Sequence, residues 1–170
     1  NVDSAIALFG KPVAADPTFA LAYYELSQAL PWTERTDPNP TYVGFADSAL
    51  RYSTNRPPRE RRLLEGFHAL MHADIPRARE IYSGLIRDDS LNADAWGWYA
   101  FANQLDLTLN RDASGRERLP ADYTAALHAY SRALQLDGSD HRFYLNLGLL
   151  MANAASINPR LASSVARSRL

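Results

Sequence analysis

The chain of 170 residues contains no cysteine, which excludes disulfides and any thiolate-ligated metal centre. It also lacks a charge excess: 18 basic against 19 acidic residues leave a net charge of −1. That balance gives no whole-chain reason to expect nucleic acid or an anionic membrane as partner. No apolar run approaches the roughly 18 to 20 residues that a membrane span needs. No charged-then-apolar leader is present, and the chain opens at Asn1 rather than Met, so an excised or processed piece of a larger chain is expected. The missing cysteines fit a reducing compartment, which favours a cytoplasmic setting over an extracytoplasmic one. Sustained strand-like alternation is missing too, as are a G-x-S-x-G elbow, a phosphate-binding glycine loop and a cysteine nucleophile. No nucleophile, base and stabiliser can be assembled, so the chain reads as non-catalytic and without a cofactor.

What is present is helical periodicity, with 46% hydrophobic residues to build a core. In "DSAIALFGKPVAAD" the residues Ile6, Phe9 and Val13 recur at three- and four-residue steps; "LAYYELSQAL" does the same with Ala22, Leu26 and Leu30. Both patterns put apolar residues on one helix face, and the fold class is all-α. Asp16-Pro17 separates the first two helices. Asp74 is expected to cap a helix with Pro76 in its first turn, and Asn92 and Ser139 to cap two later ones. Two stretches read as loop insertions: "PWTERTDPNPT" (31–41), whose three prolines break a helix, and the polar 107–122 region, with Gly115 before Pro120.

The spacing repeats. From Pro17, steps of six, nine, ten and thirteen reach Tyr23, Leu26, Ser27 and Leu30. The same steps from Ser90 reach Trp96, Tyr99, Ala100 and Asn103, and from Gly138 reach Tyr144, Leu147, Gly148 and Met151. Counting back by twelve and eight gives Ala5 and Phe9, Ala78 and Tyr82, and Ala126 and Tyr130. Small residues let paired helices approach closely, and the neighbour's aromatic fills the hollow.

On these residues the chain resembles the tetratricopeptide repeat family, whose pattern is W-x₂-L-G-x₂-Y, A-x₃-F and P over about 34 residues. "GFHALMHADIPRAREIY" fits well, with Gly66, Ala78 and Tyr82. The period is stretched by the two insertions, and Pro12 stands where the family has a small residue, so the first helix is expected to kink or fray there. Helix pairs are expected to start near Ala20, Arg59 and Ala93, and a further one near His141. Its second helix, in "INPRLASSVARSRL", has only Leu161 and Val165 to bury. "DPTFALAYYELSQA" and "RPPRERRLLEGFHALMHADIPRAREIYSGLIRDD" are also similar to repeat regions attached to bacterial serine/threonine kinases, nucleotide cyclases and transcriptional activators, although no kinase or cyclase motif occurs here.

The resemblance implies a single domain over 1–170, a right-handed solenoid of antiparallel helix pairs whose first helices line a concave groove for a partner. Carried over, the groove residues are Leu21, Tyr24 and Gln28, then Leu63, Phe67 and Leu70, then Trp98, Phe101 and Gln104, and last Leu145, Asn146 and Leu149. Family members that grip a terminal carboxylate use Lys, Arg and Asn there; only Asn146 matches, so no such clamp is expected. The expected partner is an apolar protein or peptide segment, or another domain of the parent chain, anchored on Phe67, Trp98 and Phe101. The competing reading packs these residues between helices. Alternatives for the whole chain are an oligomerisation spacer and a small-ligand-sensing region.

His68 and His72 share a helix face, with Glu65 one turn earlier, and could ligate a metal. "HALMH" lacks the glutamate of the zinc-protease motif and no third ligand is evident nearby, so two ordinary, partly exposed histidines are expected and no metal. His128 and His141 have no partner at catalytic spacing. "RPPRERR" (56–62) is locally basic but has Glu60 interleaved, and reads as a solvated helix start rather than a phosphate site.

Overall fold

The computed structural model describes residues 2–29, 41–105, 110–111, 117–118 and 122–157. Among them are eight helices: α1 (Val2–Ala15), α2 (Ala20–Ala29), α3 (Thr41–Arg51), α4 (Pro58–Met71), α5 (Ile75–Asp88), α6 (Ala93–Leu105), α7 (Tyr123–Leu136) and α8 (His141–Ile157). The fold is all-α, built of antiparallel helix pairs. The one addition among the described residues is a two-residue antiparallel ladder, β1 (Asn110–Arg111) on β2 (Glu117–Arg118), inside the second expected insertion. The first insertion up to residue 40, with Trp32, and the final stretch with Leu161 and Val165 lie outside the described residues. No helix among the described residues is long and apolar enough to cross a membrane.

The helix starts expected near Ala20, Arg59, Ala93 and His141 fall at Ala20, Pro58, Ala93 and His141. Local chemistry explains this agreement. Three turns share one device, in which an aspartate carboxylate accepts the N–H two residues on: Thr18 to Asp16, Leu91 to Asp89 and Ser139 to Asp137. These Asx turns end one helix and aim the next. The hydrogen bonds from Thr18 and Ser139 hold the Asp16 and Asp137 carboxyls below the usual range. The aromatic six residues after the turn residue then ties back to it. Tyr23 Oη donates to the Pro17 carbonyl at 3.2 Å, and Trp96 Nε1 donates to the Ser90 carbonyl at 3.0 Å.

Asp74 and Asn92 cap α5 and α6 as expected, accepting from Arg77 N and Ala95 N. Ser139 does not cap α8. Its hydroxyl donates to Asp137, and Asp140 takes the cap by accepting from Arg142 N at 2.9 Å. Pro12 lies inside α1, which stays helical through it, and the Asp16 N–H bonds the Pro12 carbonyl at 2.8 Å. A proline in the interior forfeits its own donor, not its acceptor, so the turn that follows it is intact.

The chain forms two compact units, Asn1–Ile81 and Tyr82–Leu170, divided within α5. In the first, α3 packs on both α2 and α4. Ser27, the small residue of its register, is fully buried and its hydroxyl donates to the Tyr42 carbonyl at 2.7 Å. Tyr24 meets Phe67 edge-on at 4.8 Å, and Tyr23 stacks on Tyr52. Helix α4 ends in a Schellman arrangement, with Asp74 N bonding the Ala69 carbonyl and Ala73 N the Leu70 carbonyl. The motif needs a left-handed residue after the cap, and Ala73 supplies it at φ 58°.

In the second unit, Ala100, Ala126, Tyr130, Ala133, Phe143 and Leu150 form a buried core between α6, α7 and α8. Ala100 and Ala126 are the expected small residues, and Tyr130 is the aromatic that fills the space beside them. Above this core Arg142 lies over the rings of Trp98 and Phe143, bonds both carboxylate oxygens of Asp140, and reaches Asp94 at 3.1 Å. One guanidinium thus ties the start of α8 to the start of α6.

Candidate functional site

Helix periodicity selects a face, but neighbouring helices decide whether that face meets solvent. Of the expected groove residues in the first unit, Tyr24, Phe67 and Leu70 are buried, while Leu21, Gln28 and Leu63 are half-buried. Phe67 is only 1% exposed, so it serves packing in the free chain and cannot anchor a partner without leaving its seat. In the second unit Trp98 and Asn146 are buried, Phe101 and Gln104 half-buried, and Leu145 and Leu149 exposed. Trp98 is roofed by Arg142 and meets Phe101 edge-on at 5.8 Å. Gln104 Oε1 accepts the Tyr130 hydroxyl at 3.0 Å, which fixes that carbonyl inward. Burial pushes the Tyr130 phenol well above its ordinary range, so it stays a neutral donor.

Among the described residues, helix α8 carries a run of exposed large apolar side chains. Tyr144 (51%), Leu145 (53%), Leu149 (39%) and Met151 (37%) are exposed, and Gly148 lies open between them. Their register partners in α6 behave differently: Ala100 and Asn103, equivalent to Gly148 and Met151, are fully buried. Helix α7 covers that side of α6. From Phe143 to Ala152 the helix has no charged residue.

A second feature of this unit is an open depression of about 650 Å³ between α5, α6 and α7. Trp96 and Tyr99 form its aromatic part, and Arg87, His128 and Thr124 its polar part. His128 stands edge-on to Trp96 at 5.9 Å. The sequence did not single out this place, because its walls come from three helices that become neighbours only on folding.

The histidines of α4 have a partner that sequence spacing missed. Asp47 of α3 brings one carboxylate oxygen to 2.9 Å from His68 Nε2 and 2.7 Å from His72 Nε2. The expectation that no third donor stands near them is therefore corrected. Glu65 takes no part, since it pairs with Arg61 at 3.2 Å. Burial pushes the Asp47 carboxyl up, but the hydrogen bonds and charges of His72 and His68 outweigh it and hold the group below its usual range. In the basic stretch 56–62, Arg56 pairs with Glu60 and Arg61 with Glu65 one turn further along α4. His141 points Nδ1 at the Ser139 carbonyl.

No family model matches the chain, and no curated protein sequence matches it. Among solved structures it is similar to a crystal structure of MamA, at 17% identity over 98% of this chain and 83% of that one, with a TM-score of 0.44. A second crystal structure, of MamA protein, has 17% identity over 98% and 78%, with a TM-score of 0.45. A MamA RS-1 ArsTM double mutant has 14% identity over 98% and 86%, with a TM-score of 0.44. The helix pairing described above rests on the chain's own turns and contacts, independently of these likenesses.

Proposed function

We propose that the chain is a non-catalytic protein-interaction module that takes an apolar segment of a partner protein on the face of α8. The observation that carries this reading is the exposure of Tyr144, Leu145, Leu149 and Met151 along one uncharged stretch of helix. A contiguous apolar surface of this kind gains by being covered, and the absence of charge along it favours an apolar occupant over an ionic one. Leu145 and Leu149 are four residues apart and share a face, which suits side chains of an amphipathic helix or extended segment. Of the expected anchors Phe67, Trp98 and Phe101, only half-buried Phe101 is retained, on the neighbouring helix of the same unit. Asn146, as buried as Trp98, is not retained as a polar contact, and Gln104, whose carbonyl accepts from Tyr130, keeps its amide N–H groups for register. The narrower resemblance to regions attached to bacterial kinases, cyclases and activators supports a docking role within or beside a signalling chain.

The test is affinity selection from a random peptide library, comparing the wild-type chain with a Leu145→Asp, Leu149→Asp variant of matched helicity. Enrichment of apolar peptides by the wild type and its loss in the variant supports the reading. Equal enrichment by both, or a concentration-dependent dimer that the variant abolishes, replaces it with another surface or with the spacer alternative. The depression lined by Trp96, Tyr99, Arg87 and His128 favours one second reading, small-ligand sensing. Quenching of Trp96 fluorescence in a metabolite screen, lost in Trp96→Phe, is its signature.

A further inference from the structure

We infer that Asp47, His68 and His72 form a binding site for a divalent transition-metal ion of the Zn²⁺, Co²⁺ or Ni²⁺ class, bridging α3 and α4. This goes beyond the interaction reading and does not depend on it. The donor atoms His68 Nε2, His72 Nε2 and one Asp47 oxygen all lie within 4.8 Å of one another. Both rings aim the same nitrogen at the same carboxylate oxygen, and the rings sit 4.3 Å apart, tilted by 33°. The i,i+4 spacing on α4 sets the two rings on one face, and α3 brings the carboxylate to that face.

Three converging donors are more than a helix-to-helix hydrogen bond requires. One hydrogen bond would tie α4 to α3, yet both imidazoles share the same Asp47 oxygen, which has an acceptor site for each, and a cation seated between the three meets them all. With metal–ligand bonds of about 2.0–2.1 Å, donors around a tetrahedral ion stand roughly 3.3 Å apart. The present separations of 2.7 and 2.9 Å need a small opening. The exposed His72 and the half-exposed Asp47 and His68 can supply it by side-chain rotation. The location favours positive charge as well. His68 lies in the last turn of α4 and His72 is its cap residue, where the helix presents its negative end.

The donor set decides the class of ion. Two imidazoles and one carboxylate suit borderline transition metals, whereas Ca²⁺ and Mg²⁺ prefer all-oxygen surroundings. On binding, each ring must offer its Nε2 lone pair, so a proton on that nitrogen moves to Nδ1 in a neutral ring or is released to solvent from a charged one. Three protein ligands leave at least one position for water or for a donor from a partner, because the cluster faces solvent.

The experiment is titration of the whole chain with Co²⁺, followed by d–d absorption and calorimetry, then repeated with Zn²⁺. The chain has four histidines and no cysteine, so background sites are few. The expected result is saturable 1:1 binding. Affinity should fall by more than the roughly 10–100-fold that loss of an outer-sphere partner costs in His72→Ala and in Asp47→Ala. His128→Ala should match the wild type, and excess Mg²⁺ should not compete. His72 is exposed, so its variant keeps its helicity, which circular dichroism verifies. Absence of saturable uptake by the wild type, or uptake that survives in a His68→Ala, His72→Ala variant, overturns the site. The cluster is then a hydrogen-bonded clasp alone.

Discussion

The ring of Phe143 on α8 fills the space that a β carbon on Gly97 of α6 would need. Phe143 is fully buried, with Trp98 edge-on to it and Tyr130 alongside, so it has nowhere to swing. Glycine in a helix interior ordinarily costs about 1 kcal/mol relative to alanine. At this position the sign reverses, and Gly97→Ala is expected to destabilise the chain by about 1–3 kcal/mol through overpacking. A β carbon added at Gly44 would meet nothing within 4 Å, so Gly44→Ala is the control and should gain up to about 1 kcal/mol. Urea unfolding of the two variants reads the contrast; equal gains would mean that α8 does not close on α6 in this way.

Ala73 holds a left-handed backbone at φ 58° in the turn from α4 to α5. For a residue with a β carbon that conformation costs about 1–2 kcal/mol, part of which glycine returns as extra freedom in the unfolded chain. Ala73→Gly is therefore expected to raise stability by about 0.5–1 kcal/mol, seen as a higher midpoint in thermal unfolding. Because the same turn carries His72 as cap and Asp74 as the next cap, a fall in the midpoint would count against the Schellman geometry.

Features fixed by neighbours in sequence were legible, and features fixed by neighbours in space were not. The helix starts at Ala20, Ala93 and His141 follow from Asx turns and caps that act over two or three residues. The single-residue error at Ser139, where Asp140 holds the cap, reflects two adjacent residues with nearly equal capping ability. The register of small and aromatic residues located Ala100, Ala126 and Tyr130 in the core. The same periodicity could not separate Phe67, which Tyr24 covers, from Leu149, which is uncovered, because the covering helix is set by packing. Asp47 is 21 residues from His68, a separation that no spacing motif spans.

Asp94 and Asp140 share Arg142 but titrate in opposite directions. Burial raises the Asp140 carboxyl, yet the hydrogen bonds and charge of Arg142 outweigh it, and the net value is lowered. Burial also raises Asp94, and there Arg142 only partly offsets it, with Asp140 and Asp137 adding repulsion. A lowered carboxyl stabilises the fold above its unfolded value of about 3.9, and that gain is lost as pH falls through the folded value. Asp140→Asn keeps the cap oxygen and removes the charge, so it should cost about 1 kcal/mol near neutral pH and nothing in strong acid. A raised carboxyl has the opposite sense, its cost appearing as pH rises through the folded value. Asp94→Asn should therefore be neutral or slightly stabilising near neutral pH, the more weakly because its side chain is 44% exposed and solvent screens it. Denaturation of both variants from pH 2 to 7 decides, and parallel curves would contradict the shared-arginine account.

The division between the uncovered face of α8 and the core also makes a prediction about stability. Leu145 and Leu149 are exposed at 53% and 39%, while Phe67 is exposed at 1%. An aspartate at either leucine takes little packing away, so Leu145→Asp and Leu149→Asp should each shift stability by no more than about 0.5 kcal/mol. Phe67→Ala deletes a ring that lies edge-on to Tyr24 within a closed layer, and should cost about 3–5 kcal/mol. Chemical denaturation ranks the three. Heavy loss from the leucine variants would show that α8 is covered in solution, by a second copy of the chain or by its own distal residues. Since either cover would already occupy the proposed docking face, that result would remove the interaction reading at its base, whereas a mild effect leaves the face free for a partner.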